Sequence, residues 1–239
     1  VNTTTTVSWI NDLVANPWPS PADDGCGGAN QAAGACNFIP YLIPGVVDQT
    51  LHWANPPAGD GFTDSRGTSQ LPYVGPNPII THVHGAHVGP ESDGYPEAWY
   101  LPGADNIPAG YAIQGSLVNQ YGTITNPTPG VANFSYPNTQ PSATIWYHDH
   151  TLGMTRLNVY AGPAGFWNIR ESGGGETGMD EANNILPGPA PAANEDPNFV
   201  PDDRAKVREI PIAIQDRSFN ADGSLFYPDN RAFFEGIDP

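Results

Sequence analysis

Lysine is nearly missing from this sequence: Lys206 is the one lysine, and 8 basic residues in all face 25 acidic ones, for a formal charge of −17. So acidic a surface repels phosphate backbones and anionic bilayers, which excludes nucleic acid and membrane as expected partners. It either favours cationic substrates or metal ions at long range or serves simply as the solubilising surface of an exported protein. Long apolar runs are absent too. No stretch reaches the roughly 20 apolar residues that a membrane-crossing helix needs, and no basic-then-apolar signal segment opens the chain. Cysteine is limited to Cys26 and Cys36. They close a short Gly- and Ala-rich loop with no other metal-ligating residue beside them, so a disulfide is expected. That bond favours an oxidising location: extracellular, periplasmic, or at the cell or spore surface.

Long helical periodicity is the next absence. With Gly and Pro at 27 residues each, the composition predicts a loop-rich all-β structure. Thr3 to Ile10 is a β-branched run that reads as a strand, and strand-like patches recur near Tyr111–Ile113 and Ala132–Phe134. Residues 17–45 are rich in Pro, Gly and Ala and read as an inserted surface excursion. From 171 to 206 the chain carries Gly173-Gly174-Gly175 and then Pro187, Pro189, Pro191, Pro197 and Pro201, the composition of a linker. Beyond it, Arg208 to Gln215 alternates like a strand, and Asn220-Ala221-Asp222-Gly223 turns the chain toward Leu225-Phe226-Tyr227.

What the sequence does have is two His-X-His pairs, His82-Val83-His84 and His148-Asp149-His150, which take four of its six histidines. In an extended strand, side chains at i and i+2 share a face, so each pair presents two imidazoles side by side. Both pairs sit in β-rich surroundings, Pro78-Ile79-Ile80-Thr81 and Ala143-Thr144-Ile145-Trp146. Neutral imidazole suits copper, zinc, iron and nickel, and no carboxylate cluster of the kind that favours calcium or magnesium surrounds these histidines. His52 and His87 read as supporting or surface groups, not ligands. Met154, four residues past His150, reads as a core filler.

These segments resemble the multicopper oxidases, in particular the bacterial spore-coat laccase and bilirubin oxidase branch. The resemblance runs through His82-Val83-His84-Gly85, Ser92-Asp93-Gly94-Tyr95-Pro96-Glu97-Ala98-Trp99, Trp146-Tyr147-His148-Asp149-His150 and Thr155-Arg156-Leu157-Asn158-Val159-Tyr160-Ala161-Gly162. Gln215-Asp216-Arg217 and Asp222 to Pro228 extend it. The resemblance implies copper as the cofactor, with His82 on a type 2 ion and His84, His148 and His150 on a type 3 pair, a trinuclear cluster that reduces dioxygen to water. It implies that Asp93 assists proton delivery there, beside the plainer reading of Asp93 as the turn residue of Ser-Asp-Gly. It also implies a phenolic, bilin-like or metal-ion electron donor.

For the fold, the resemblance implies a cupredoxin-like Greek-key β-sandwich over residues 1–170, a linker over 171–206, and the start of a second such domain over 207–239. A complete oxidase of this family has three such domains, and the four further cluster histidines and the His-Cys-His type 1 copper segment that it carries do not occur here. The expectation is therefore a partial oxidase that is inactive alone and completed by the missing carboxy-terminal domains or a complementing chain. The alternative is a non-catalytic copper-binding module for storage or delivery.

Overall fold

The computed structural model describes residues 2–15, 36–118, 129–169 and 211–228. β1 (Thr5–Ile10) pairs antiparallel with β3 (Val131–Tyr136). β4 (Ala143–Asp149) forms the centre of a second antiparallel sheet, between β2 (Thr81–His84) and β5 (Ala164–Ile169). Consecutive strands therefore change sheet from β1 through β4, and within these two sheets β4 to β5 is the one pairing of consecutive strands among the described residues. This is the all-β sandwich expected of a cupredoxin-like domain.

Alternation along the strands explains why the sheets stack. Val7 and Trp9 of β1 and Ile145 and Tyr147 of β4 point inward; the strand neighbours of Val7, Trp9 and Ile145 are more exposed, whereas His148 beside Tyr147 is itself buried. The Trp9 ring lies 5.1 Å from Tyr147 and 6.5 Å from Trp167, and Tyr136 lies 4.7 Å from Trp167. These tilted pairs join the two layers across the interior. Gly165 stands opposite Tyr147 in the β4–β5 register, where a Cβ would meet the Tyr147 hydroxyl at 2.5 Å and its ring at 2.6 Å. The glycine lets that ring lie across β5.

Trp53, Trp99, Ile80, Val83, Leu101, Phe134, Met154 and Leu157 form the centre of the core. Trp99 donates its indole N–H to Asp64 Oδ1 at 2.6 Å, and Asp64 Oδ2 accepts the Ser116 amide at 2.8 Å, so even this large side chain is buried with its polar atom paired. After β4 comes a two-turn helix, α1 (Thr155–Ala161), which buries Leu157 and Asn158.

Residues 211–228 carry a short hairpin, β6 (Ser218–Phe219) and β7 (Leu225–Phe226). It packs on α1 through Tyr227, whose ring lies 5.0 Å from Tyr160. The Arg156 guanidinium covers Tyr227 and that of Arg217 covers Tyr160, each 4.9 Å from the ring centre. Two expectations differ here, and a third lies beyond the described residues. Pro211–Gln215 joins no ladder, and the strand begins only at Ser218. Tyr111–Ile113 is no strand either, because the Ala112 amide is taken by the carbonyl of Pro56 in an irregular segment. The linker expected at 171–206 lies outside the described residues. Among the described residues, no helix is long and apolar enough to cross a membrane.

Candidate metal centre

The antiparallel register of β2 and β4 sets His82 opposite His148 and His84 opposite Trp146. The His150 amide donates to the Ile80 carbonyl at 2.8 Å, which carries the pairing one step past β4. With side chains alternating by two, all four imidazoles fall on the outer face of the sheet, away from the sandwich interior. Their rings touch in sequence. His82 lies 5.4 Å from His84, 5.5 Å from His148 and 4.8 Å from His150, while His148 lies 5.5 Å from His84 and 5.6 Å from His150. One ligand atom from each of His82, His84 and His148 lies within 4.8 Å of the other two. His150 belongs to the ring cluster but falls outside that tighter triplet. His148 is buried, His82 and His150 are half-buried, and His84 is exposed.

The hydrogen bonds decide which nitrogens are free. His82 Nδ1 donates to the Asp93 carbonyl at 2.5 Å, His150 Nδ1 to the Gly94 carbonyl at 2.8 Å, and His148 Nδ1 to the Asp149 carbonyl at 2.7 Å. A carbonyl only accepts, so each of these rings carries its proton on Nδ1 and keeps the Nε2 lone pair for a metal. His84 is turned the other way: its Nδ1 faces His148 Nε2 at 3.3 Å. Burial pushes the His148 pKa down, and the neighbouring His82, His150 and His84 push the same way against the bond to the Asp149 carbonyl. The imidazole is thereby held in the neutral form that binds metal.

Sequence comparison sets this chain beside known proteins. No family model matches the chain. Curated relatives do: it is 34% identical over 149 residues to a laccase of Bacillus stratosphericus, covering 62% of this chain and 21% of that protein. To a laccase of Haloferax volcanii it is 30% identical over 176 residues, 72% of this chain and 23% of that protein. A multicopper oxidase of Oryza sativa subsp. japonica matches at 32% over 165 residues, 68% of this chain and 21% of that protein. The chain belongs to the multicopper oxidase family. It spans about a fifth of the length of these relatives. Among solved structures, the laccase of Pediococcus acidilactici aligns with a TM-score of 0.31 at 22% identity, over 47% of this chain and 19% of that one.

In this multicopper oxidase chain, Asp93 sits beside the cluster, its Oδ1 3.4 Å from His82 Nδ1 and its side chain about a third exposed. His52 and His87 lie on the surface outside the cluster, and Met154 is fully buried in the core. Among the described residues no cysteine is free. Cys36 is buried, and Cys26 lies outside the described residues.

Sequence reasoning missed Asp149, treated there as the spacer between two histidines. Alternation turns it inward, and its buried carboxylate accepts the Ile80 amide at 3.2 Å, the Thr151 amide at 3.0 Å, the Thr151 hydroxyl at 2.8 Å and the Asn158 side-chain amide at 3.0 Å. Burial raises its pKa to about 6 against those four donors. The carboxylate ties together the approach to β2, the turn after His150, and α1. The signal was available: an acidic residue at an inward strand position must find partners, and Thr151 and Asn158 follow closely.

Proposed function

We propose that this chain is the part of a multicopper oxidase that supplies half the ligands of a trinuclear copper cluster, where electrons from a donor reduce dioxygen to water. The observation that carries the reading is the convergence of His82, His84 and His148, with the Nδ1 atoms of His82, His148 and His150 already tied to carbonyls. An all-imidazole set, neutral at His148, fits copper by ligand softness. Copper bound there supplies the redox chemistry by which four electrons and four protons turn one dioxygen into two waters.

The chain's residues bind and orient. His82 would hold the type 2 ion, and His84, His148 and His150 the type 3 pair. Asp93, open to solvent yet beside His82, would hold a proton at its carboxylate for delivery inward. The other four histidines and the type 1 site would come from further domains or a complementing chain, and the electrons from a phenolic, bilin-like or metal-ion donor. In this reading residues 1–170 are the first domain, 171–206 a linker and 207–239 the entry to a second. The Cys26–Cys36 bond and an exported location belong to the same reading. A storage or delivery module needs ligands alone, so the oriented rings and the flanking carboxylate favour the oxidase.

The test is calorimetric titration of the metal-free chain with copper. Single His→Ala changes at positions 82, 84 and 148 should each weaken binding by on the order of tenfold or more, whereas His52→Ala and His87→Ala should leave it unchanged. Equal affinity after the loss of His84 and His148 would reject the site.

A further inference from the structure

Two consecutive carbonyls, those of Asp93 and Gly94, each receive the Nδ1–H of one histidine, His82 from the first pair and His150 from the second. Residue 94 is pressed against the strand it serves. Its φ is +75°, and a Cβ there would overlap the Thr81 carbonyl oxygen, lying 2.7 Å from the Thr81 carbonyl carbon and 3.1 Å from the His82 Cα. Both the left-handed backbone and the lack of space call for glycine. The turn itself is pinned to the body of the sandwich. Ser92, buried, accepts the Ser135 amide of β3 on its hydroxyl at 3.0 Å, and the Pro96 carbonyl accepts the Leu152 amide at 3.1 Å.

We propose that the consecutive carbonyls of Asp93 and Gly94 are the orienting element of the metal site, and that Gly94 is a positioning residue that fixes the tautomer and ring rotation of His82 and His150 before any metal binds. The inference rests on the reading of these histidines as ligands. One rigid turn gauges one ring from each strand, so the stacked pair, 4.8 Å apart and 23° from parallel, is set by backbone rather than by the ion. Preorganisation of this kind removes the ordering cost that a metal would otherwise bear. It also divides Asp93 into two functions: the carbonyl aims His82, and the side chain is left free for other work.

The experiment is long-range ¹⁵N–¹H correlation of the imidazoles in the full 239-residue chain, metal-free, at a pH of about 8, above the ordinary imidazole pKa of about 6.5. Wild type should show His82, His148 and His150 as Nδ1–H tautomers. Gly94→Ala should abolish that state at His82 and His150 but leave His148, whose acceptor is the Asp149 carbonyl. Asp93→Ala retains the backbone carbonyl and should leave His82 as it is. If Gly94→Ala does not fold, the wild-type spectrum still decides, because Nε2–H tautomers at His82 and His150 overturn the proposal. So do unchanged tautomers in a folded Gly94→Ala chain. A copper titration separates this from the functional reading: Gly94→Ala should bind on the order of tenfold more weakly. Tautomers as stated in a wild-type chain that takes up no copper would sink the metal site and leave the orienting turn standing.

Discussion

Trp146 lies over His148 with ring centres 4.4 Å apart, although nearly half of the indole is exposed to solvent. The same ring stacks on His84 at 5.6 Å and 22° from parallel. Of the indoles described, it is the one in contact with the histidine cluster. Copper(II) bound by His84 and His148 should therefore quench Trp146 first. Fluorescence titration of the chain should show a fractional loss of emission that saturates with copper, and Trp146→Leu should remove most of that loss while keeping the metal. Undiminished quenching in Trp146→Leu would place the copper elsewhere.

Asp93 separates orientation from proton handling. Asp93→Asn keeps both the backbone carbonyl that holds His82 and the turn geometry, so copper content should stay close to wild type. In an oxidase completed with its other domains, dioxygen reduction should slow by about 10²-fold, the lower range for loss of a general acid or base. Steady-state oxygen consumption across pH checks this. Unchanged turnover at every pH would return Asp93 to a turn residue.

How much of this was legible differs from residue to residue. The histidine pairs were legible because strand alternation is a local rule, and the register of β2 on β4 then had one way to bring both pairs to one face. The all-β class followed from turn-rich composition without helical periodicity. The orienting carbonyls of Asp93 and Gly94 were not legible, since a backbone acceptor leaves no mark on residue type. Helix α1 was too short for its period to register, with Leu157 and Asn158 as its buried positions. The strand expected over Arg208–Gln215 has no partner in its described part, Pro211–Gln215: alternation describes a face, and only a neighbour makes it a ladder.

Asp149 gives a pH dependence with an unusual sign. Its folded pKa is raised to about 6, above the roughly 3.9 of an unfolded aspartate, so between those values the folded chain binds more protons than the unfolded one. Its contribution is then fully present below the unfolded value and is lost as pH rises through about 6. Urea unfolding of the metal-free chain should show the advantage of wild type over Asp149→Asn shrinking across that window. Asp149→Ala, which strands the Ile80 and Thr151 amides and one N–H of Asn158 while the Thr151 hydroxyl keeps the Pro78 carbonyl, should cost about 3 kcal/mol at neutral pH. A wild-type advantage that grows with pH would contradict the assignment.

Cys26 and Cys36 should be joined. A bond across so short a loop restricts the unfolded chain and should stabilise by up to roughly 3 kcal/mol. Intact-mass measurement after alkylation, with and without prior reduction, decides it: no label should enter the unreduced chain. Two labelled thiols would remove the bond, and with it the argument for an exported location.

The 239-residue chain alone should bind copper yet show no oxidase turnover. Binding follows from geometry, since three rings carry their lone pair on Nε2 and a fourth turns its Nδ1 to the group. Turnover needs more than ligands. Reduction of one dioxygen to two waters requires four electrons delivered in order, and this sequence has no His-Cys-His segment to take them from a donor and half the histidines of a trinuclear site. Oxygen-electrode assays with a phenol or ferrous iron should therefore stay at background for the copper-loaded chain. They should rise when it is joined, in cis or in trans, to domains carrying the other four histidines and a thiolate site. Sustained oxygen uptake by the purified chain, with no second polypeptide on a denaturing gel, would show that these four histidines suffice.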